Sequence, residues 1–109
     1  MFERNGRQIV VIATGRGADV AARSGERGDE VERGKPAPDL FLRAASVMGA
    51  DPRRCAVIED SPAGITGANA AGMTTFGFSR LLPAGALAHA TGAVFSDMAD
   101  LPRLLGLAA

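Results

Sequence analysis

The stretch CAVIEDSPAGITGANAAGM, residues 55–73, holds a short apolar run, two adjacent carboxylates and a series of small residues. The apolar run, residues 55–58, predicts a strand that is buried on both faces. Pro62 suits the first turn of a helix, and residues 62–71 are small enough for that helix to pack closely on a sheet. The order of strand, acidic pair and helix predicts an α/β fold with polar groups at a strand end.

The same alternation continues on both sides of that stretch. Strands are predicted at residues 8–13, 73–78 and 93–95, and helices at residues 39–48, 84–90 and 97–105. Residues 16–34 are rich in charge and glycine and lack periodicity, which favours irregular structure with one short helix near residues 18–23. We therefore predict one domain over residues 1–109, with a Rossmann-like parallel sheet and helices on both faces.

The composition argues against several classes of function. The 109 residues include 12 basic and 12 acidic side chains, so no excess of positive charge favours a nucleic-acid partner. A single cysteine excludes an internal disulfide and fits a reducing compartment. The apolar run near the N-terminus is too short for a signal peptide, and no segment approaches a membrane span. A cytoplasmic location is therefore expected, without a membrane partner.

Glu59 and Asp60 are the first candidates for chemistry, because they end a buried strand. Hard divalent cations such as Mg²⁺ prefer carboxylate oxygens and retain several waters, so one or two carboxylates form a typical half-site. The alternative is that Asp60 or Ser61 merely caps the following helix. The second carboxylate and the preceding strand favour metal binding over capping.

Lys35 is the second candidate, in the segment GKPAPD, residues 34–39. The flanking glycine and prolines predict a short rigid loop, and a lysine fixed there offers a point charge to a phosphate. The alternative is a solvated lysine on a surface loop. Composition alone favours that alternative.

His89 and Cys55 are interpreted as structural. His89 is the only histidine and lies in an alanine-rich segment, whereas Cys55 opens a buried strand with no histidine nearby in the sequence. A Ser-His-Asp or Cys-His catalytic site is therefore excluded.

Two motifs taken together are much more specific than either alone. GKPAPD, residues 34–39, followed by VIEDSPAGI, residues 57–65, and AAGM, residues 70–73, resembles the haloacid dehalogenase-like hydrolase superfamily. The similarity is dense over residues 31–78 and is closest to the branch of beta-phosphoglucomutase and phosphoglycolate phosphatase. The resemblance implies a Mg²⁺-dependent, phosphatase-type hydrolase that acts on a small phosphorylated metabolite.

The resemblance also implies roles for individual residues. Lys35 is similar to the lysine that neutralises the nucleophile and the phosphate, and Asp60 to the principal Mg²⁺ ligand. Glu59 is similar to the neighbouring direct or water-mediated ligand. Thr14, which ends the apolar segment VVIATG, is similar to the Ser/Thr that hydrogen-bonds the phosphoryl group. A capping hydroxyl after a strand is the alternative for Thr14, since its spacing to Lys35 is short for this branch.

The nucleophile of this superfamily, the first Asp of an Asp-x-Asp motif, has no counterpart in the chain. The first seven residues, MFERNGR, contain no Asp, and Asp97 and Asp100 are spaced differently and follow the metal motif. Helix capping and a solvated face explain that pair better. The chain thus resembles the C-terminal half of such an enzyme, truncated and without a cap domain.

Two further expectations follow from the missing segment. Since the first strand of this superfamily is central to the sheet, its loss predicts an exposed apolar edge and self-association through it. The alternative to a phosphatase-type hydrolase is that the chain is a non-catalytic remnant, which binds Mg²⁺ or phosphate or completes a site with another chain.

Overall fold

Five strands form one sheet, and their order in the sheet is their order in the chain. The computed structural model of the protein describes residues 2–4, 7–13 and 33–107. The strands are β1 Phe2–Arg4, β2 Arg7–Ala13, β3 Cys55–Glu59, β4 Thr74–Phe78 and β5 Ala93–Phe95.

Three α-helices and three 3₁₀ turns connect and flank these strands in the described ranges. The helices are α1 Asp39–Val47, α2 Pro62–Ala70 and α3 Leu101–Leu104. The 3₁₀ turns are Pro52–Arg54, Ala84–Leu87 and Met98–Asp100. Among the described residues, no helix has the length and apolar character that crossing a membrane requires.

The strand pairing brings the carboxyl ends of the parallel strands to one edge of the sheet. β2, β3, β4 and β5 pair in parallel, with Ala13 opposite Ile58, and Glu59 opposite Gly77. β1 pairs antiparallel with the first three residues of β2. Polar groups that follow β3 therefore lie at the edge where ligands bind in such sheets.

Apolar side chains alternate along the strands and build a core on each face of the sheet. Helices α1 and α2 cover one face in a cluster that includes Val10, Ile12, Leu40, Phe41, Ala44, Ala45, Cys55, Val57, Ala68, Ala71 and Met73. Helix α3 and the chain after it cover the other face in a cluster with Ala56, Ile58, Phe76, Phe95 and Leu105. The predicted three-layer Rossmann-like fold is confirmed.

Two predicted helices differ from the structure. Residues 84–90 form only the 3₁₀ turn Ala84–Leu87, since Gly85 is a poor helix former and the backbone at Gly92 must bond to Thr75. Residues 97–105 divide into a 3₁₀ turn and α3, because Pro102 cannot donate the hydrogen bond that a continuous helix needs.

Strand β1 was not predicted from the sequence. Some other predictions concern residues that the structure does not describe. The charge-rich segment was predicted to be irregular, and residues 16–32 of it are not described. The same applies to the short helix near residues 18–23 and to Thr14, which directly follows the last described residue of β2.

Candidate functional site

The candidate site begins where β3 ends and α2 starts. Glu59 is the last residue of β3, Asp60 follows, and Ser61 is the N-cap of α2 with Pro62 in its first turn. The Ser61 hydroxyl accepts a hydrogen bond from the backbone N–H of Gly64 at 3.1 Å. This bond satisfies one of the free donors of the helix start and sets the direction in which α2 leaves the sheet.

The Glu59 carboxylate is buried and bonded on both oxygens. Its exposed fraction is 1%. Ser61 Oγ donates to Oε1 at 3.0 Å, and Lys35 Nζ lies 3.3 Å from Oε2. The Ser61 hydroxyl thus accepts from Gly64 and donates to Glu59. Because buried carboxylates are tolerated only when they are paired and hydrogen-bonded, Glu59 depends on these two partners.

Gly64 is required by the position of Glu59. A Cβ atom at residue 64 would overlap the Cγ, Cδ and Oε2 atoms of the Glu59 side chain. The first turn of α2 therefore packs directly against the carboxylate, with no room for a side chain. This role of Gly64 was not predicted from the sequence, although a glycine three residues after the capping serine is a signal for it.

The loop that carries Lys35 is packed on α2 at a second glycine. A Cβ on Gly67 would lie 2.9 Å from the carbonyl oxygen of Ala37 and 3.0 Å from the Phe41 ring. The Lys35 ammonium lies 5.8 Å from the centroid of that ring, and the Lys35 side chain is 23% exposed. The loop, the ring and the helix together hold the ammonium beside Glu59, while part of the Lys35 side chain stays accessible to solvent.

Asp60 differs from its neighbour in exposure and bonding. It is half-buried, and its carboxylate makes no hydrogen bond or ion pair with the part of the chain that the structure describes. Within those residues, no group of three or more His, Cys, Asp or Glu side chains surrounds a common metal position. Asp60 is therefore the more accessible carboxylate of the acidic pair that ends β3.

Three of the four predicted site residues lie together. Lys35 and Glu59 form an ion pair across 24 positions of sequence, and Asp60 is adjacent to Glu59. Thr14 lies outside the described residues, so its role stays a prediction. Cys55 is buried, and burial raises the pKa of its thiol, as expected for a packing residue. The Lys35–Glu59 ion pair was not predicted, because the two residues are 24 positions apart and no local sequence pattern relates them.

Burial raises the pKa of Glu59 above its ordinary value of 4.5, although Lys35 and Ser61 oppose the shift. The folded state consequently holds this proton more tightly than the unfolded state does. The contribution of Glu59 to stability is fully present below pH 4.5 and is lost as the pH rises through the folded-state pKa.

Glu59→Gln should therefore gain stability relative to the wild type as the pH rises, because glutamine keeps the shape and carries no proton to lose. We expect the difference in free energy of unfolding between variant and wild type to grow between pH 4.5 and neutrality. Urea denaturation at a series of pH values measures it. A difference that stays constant over this range would contradict the raised pKa.

Comparison with known proteins places the site in a family context. Residues 2–72 match the sequence model that describes haloacid dehalogenase-like hydrolases. Over 51 residues the chain is 55% identical to the probable pseudouridine-5'-phosphatase of Drosophila melanogaster, a match that covers 45% of this chain and 22% of that protein.

Two solved structures extend the comparison to the fold. A conserved haloacid dehalogenase-like protein of unknown function from Agrobacterium tumefaciens superposes with a TM-score of 0.68 at 39% identity, over 73% of this chain and 40% of that one. The beta-phosphoglucomutase of Clostridium difficile superposes with a TM-score of 0.60 at 26% identity, over 71% of this chain and 35% of that one. The matched part thus spans less than half of each relative. The predicted resemblance to this superfamily and branch is confirmed.

Proposed function

Because the chain belongs to the haloacid dehalogenase-like hydrolase family, we propose that it carries the phosphate-binding and metal-binding end of a phosphatase-type hydrolase. The proposed reaction is Mg²⁺-dependent phosphoryl transfer from a small phosphorylated metabolite. Relatives named as phosphatases support this reaction class. The proposed location is the cytoplasm, which the single cysteine supports.

The observation that carries this proposal is the placement of Lys35. Its ammonium is held 3.3 Å from the buried Glu59 carboxylate, and the Lys35 side chain stays 23% exposed. A phosphate dianion that approached this edge would meet a fixed positive charge whose position is already determined, so little entropy would be lost on binding. We assign Lys35 to the phosphate and Glu59 to holding Lys35 in place, and Thr14 remains the proposed second phosphate contact.

The residues present fit a magnesium half-site. Asp60 offers an accessible carboxylate at a rigid strand end, and Mg²⁺ binds through one or two carboxylates while it keeps several waters. Glu59 would support the ion directly or through water, and the water-mediated contact is favoured because both of its oxygens already have partners. A bound Mg²⁺ would offset the charge that develops on the phosphoryl group.

The proposed reaction needs an aspartate nucleophile, and this sequence lacks the motif that supplies one. The 109 residues contain no Asp-x-Asp motif. We therefore expect the purified chain to lack robust turnover of p-nitrophenyl phosphate with Mg²⁺, because no Asp-x-Asp motif supplies the aspartate that would form the aspartyl-phosphate. A steady-state assay checks this. Robust turnover that Asp60→Ala abolishes would overturn the claim that the nucleophile lies elsewhere.

The absence of that motif also favours a second candidate, a non-catalytic remnant that binds Mg²⁺ or phosphate or completes a site with another chain. Calorimetric titration with Mg²⁺ and with inorganic phosphate tests the binding that both candidates require. Binding of both ligands supports the proposed site, whereas no heat with either would indicate a structural relic.

Self-association through the sheet edge is also a proposal. β1 pairs with β2 only at Arg7 to Ile9, so in the described residues the outer edge of residues 10–13 has no strand partner. Unpaired strand edges promote association. Light scattering over a range of concentrations should detect dimers, and a clean monomer at all concentrations would contradict the proposal.

A further inference from the structure

A group of hydrogen bonds fixes the chain before β5 onto β4. The backbone N–H of Thr75 donates to Thr91 Oγ1 at 3.1 Å, and the backbone N–H of Thr91 donates to Thr75 Oγ1 at 2.8 Å. The N–H of Gly92 donates to the carbonyl oxygen of Thr75 at 2.7 Å. Thr75 is fully buried, whereas Thr91 and Gly92 are exposed, so these bonds lie at the boundary between the core and the surface.

Asn69 joins this group to helix α2. Its Oδ1 accepts from Thr75 Oγ1 at 2.7 Å, and its Nδ2 donates to the carbonyl oxygen of His89 at 3.0 Å. The backbone of residues 89–92 is therefore attached both to β4 and to the end of α2. Gly92 packs closely on Phe76, because a Cβ there would lie 2.7 Å from the Phe76 ring.

The side chain of His89 then reaches back to the start of the same helix. Its Nε2 lies 3.0 Å from the carbonyl oxygen of Pro62, and since a carbonyl only accepts, Nε2 is the donor. Pro62 and Asn69 are about 10 Å apart along the axis of α2. The segment that is fixed at the end of the helix thus also bonds to its first turn.

We propose that His89 is a positioning residue for the candidate site. It bonds the carbonyl of Pro62, which directly follows Asp60 and Ser61, and so holds the junction between β3 and α2. The anchor for this bond is the buried group around Thr75, which lies outside the site. This inference rests on the proposed function, because it assigns to that junction the role of presenting Asp60 to Mg²⁺.

The test compares His89→Ala with His89→Gln, whose amide N–H keeps a donor for the Pro62 carbonyl. Leu81→Ala serves as the control, because Leu81 lies in the same connection between β4 and β5 and is 66% exposed. Two quantities are measured on each chain: the affinity for Mg²⁺ by titration, and the rate of solvent exchange of the Gly64 amide by NMR.

For His89→Ala we expect Mg²⁺ affinity to fall about fivefold and Gly64 exchange to rise about fivefold, the effect of one lost hydrogen bond. His89→Gln should restore most of both, and Leu81→Ala should change neither. Gly64 exchange that is unchanged in His89→Ala would overturn the positioning role. A further outcome is that the wild-type chain binds no Mg²⁺ but the Gly64 amide still exchanges faster in His89→Ala. This result would uphold the link between His89 and the start of α2 and would overturn the proposed function.

Discussion

Gly64→Ala should destabilise the chain by about 3 kcal/mol, the upper end of the range for overpacking a buried site. The new methyl group would overlap the Glu59 side chain, which is buried and cannot move without losing Ser61 or Lys35 as a partner. Either α2 moves away from the sheet or the carboxylate leaves its site. Urea denaturation followed by circular dichroism measures the change.

Two further variants separate this clash from the general effect of replacing a glycine. Gly85→Ala is the matched control, because nothing lies within 4 Å of its added Cβ, and we expect a change within about 0.5 kcal/mol. Glu59→Ala removes the atoms that residue 64 would meet. Gly64→Ala should then cost much less in the Glu59→Ala background than in the wild type. Equal costs in both backgrounds would contradict the contact between these residues.

Asp60→Asn should weaken Mg²⁺ binding by roughly a hundredfold or more. Changing a residue that only orients a metal ligand already lowers metal affinity by about 10- to 100-fold, and Asp60 is the proposed ligand itself. Asparagine keeps the shape of the side chain and removes the charge that attracts the cation. The fold should be unaffected, because the Asp60 carboxylate makes no hydrogen bond or ion pair with the described residues. Calorimetric titration of both chains with Mg²⁺ measures the effect.

Asp100→Asn is the control for this experiment. Asp100 also lies beyond the carboxyl end of a strand, but its carboxylate is 49% exposed and pairs with Arg103. We expect its Mg²⁺ affinity to equal that of the wild type. If Asp60→Asn binds Mg²⁺ as tightly as the wild type does, the proposed role of Asp60 is wrong.

The sheet could be predicted from the sequence because its strands are short apolar runs that end at polar or glycine residues. β3 and β4 were placed within one residue of their observed bounds for this reason. β1 was missed, since three residues with two charges carry no strand pattern and form a strand only by pairing with β2. Here tertiary pairing outweighs local propensity.

The candidate site was predictable in its residues but not in its geometry. Lys35 and Glu59 were identified by residue type and motif, whereas their ion pair depends on how the loop packs on α2 at Gly67. Such a contact joins distant parts of the chain, and local patterns contain no information about it. The hydrogen bond from Ser61 to Glu59 escaped prediction for a related reason, because capping alone explains a serine before a helix.

The order of the strands in the sheet has a consequence for how the protein assembles. Because β1 to β5 lie in the sheet in their order along the chain, no strand has to enter between two strands already paired. Each strand can therefore join the edge that the preceding strand leaves open, as synthesis proceeds from the N-terminus. The Glu59 end of β3 would meet its partner β4, and then residues 89–92 that bond to β4, only after those later residues have been synthesised.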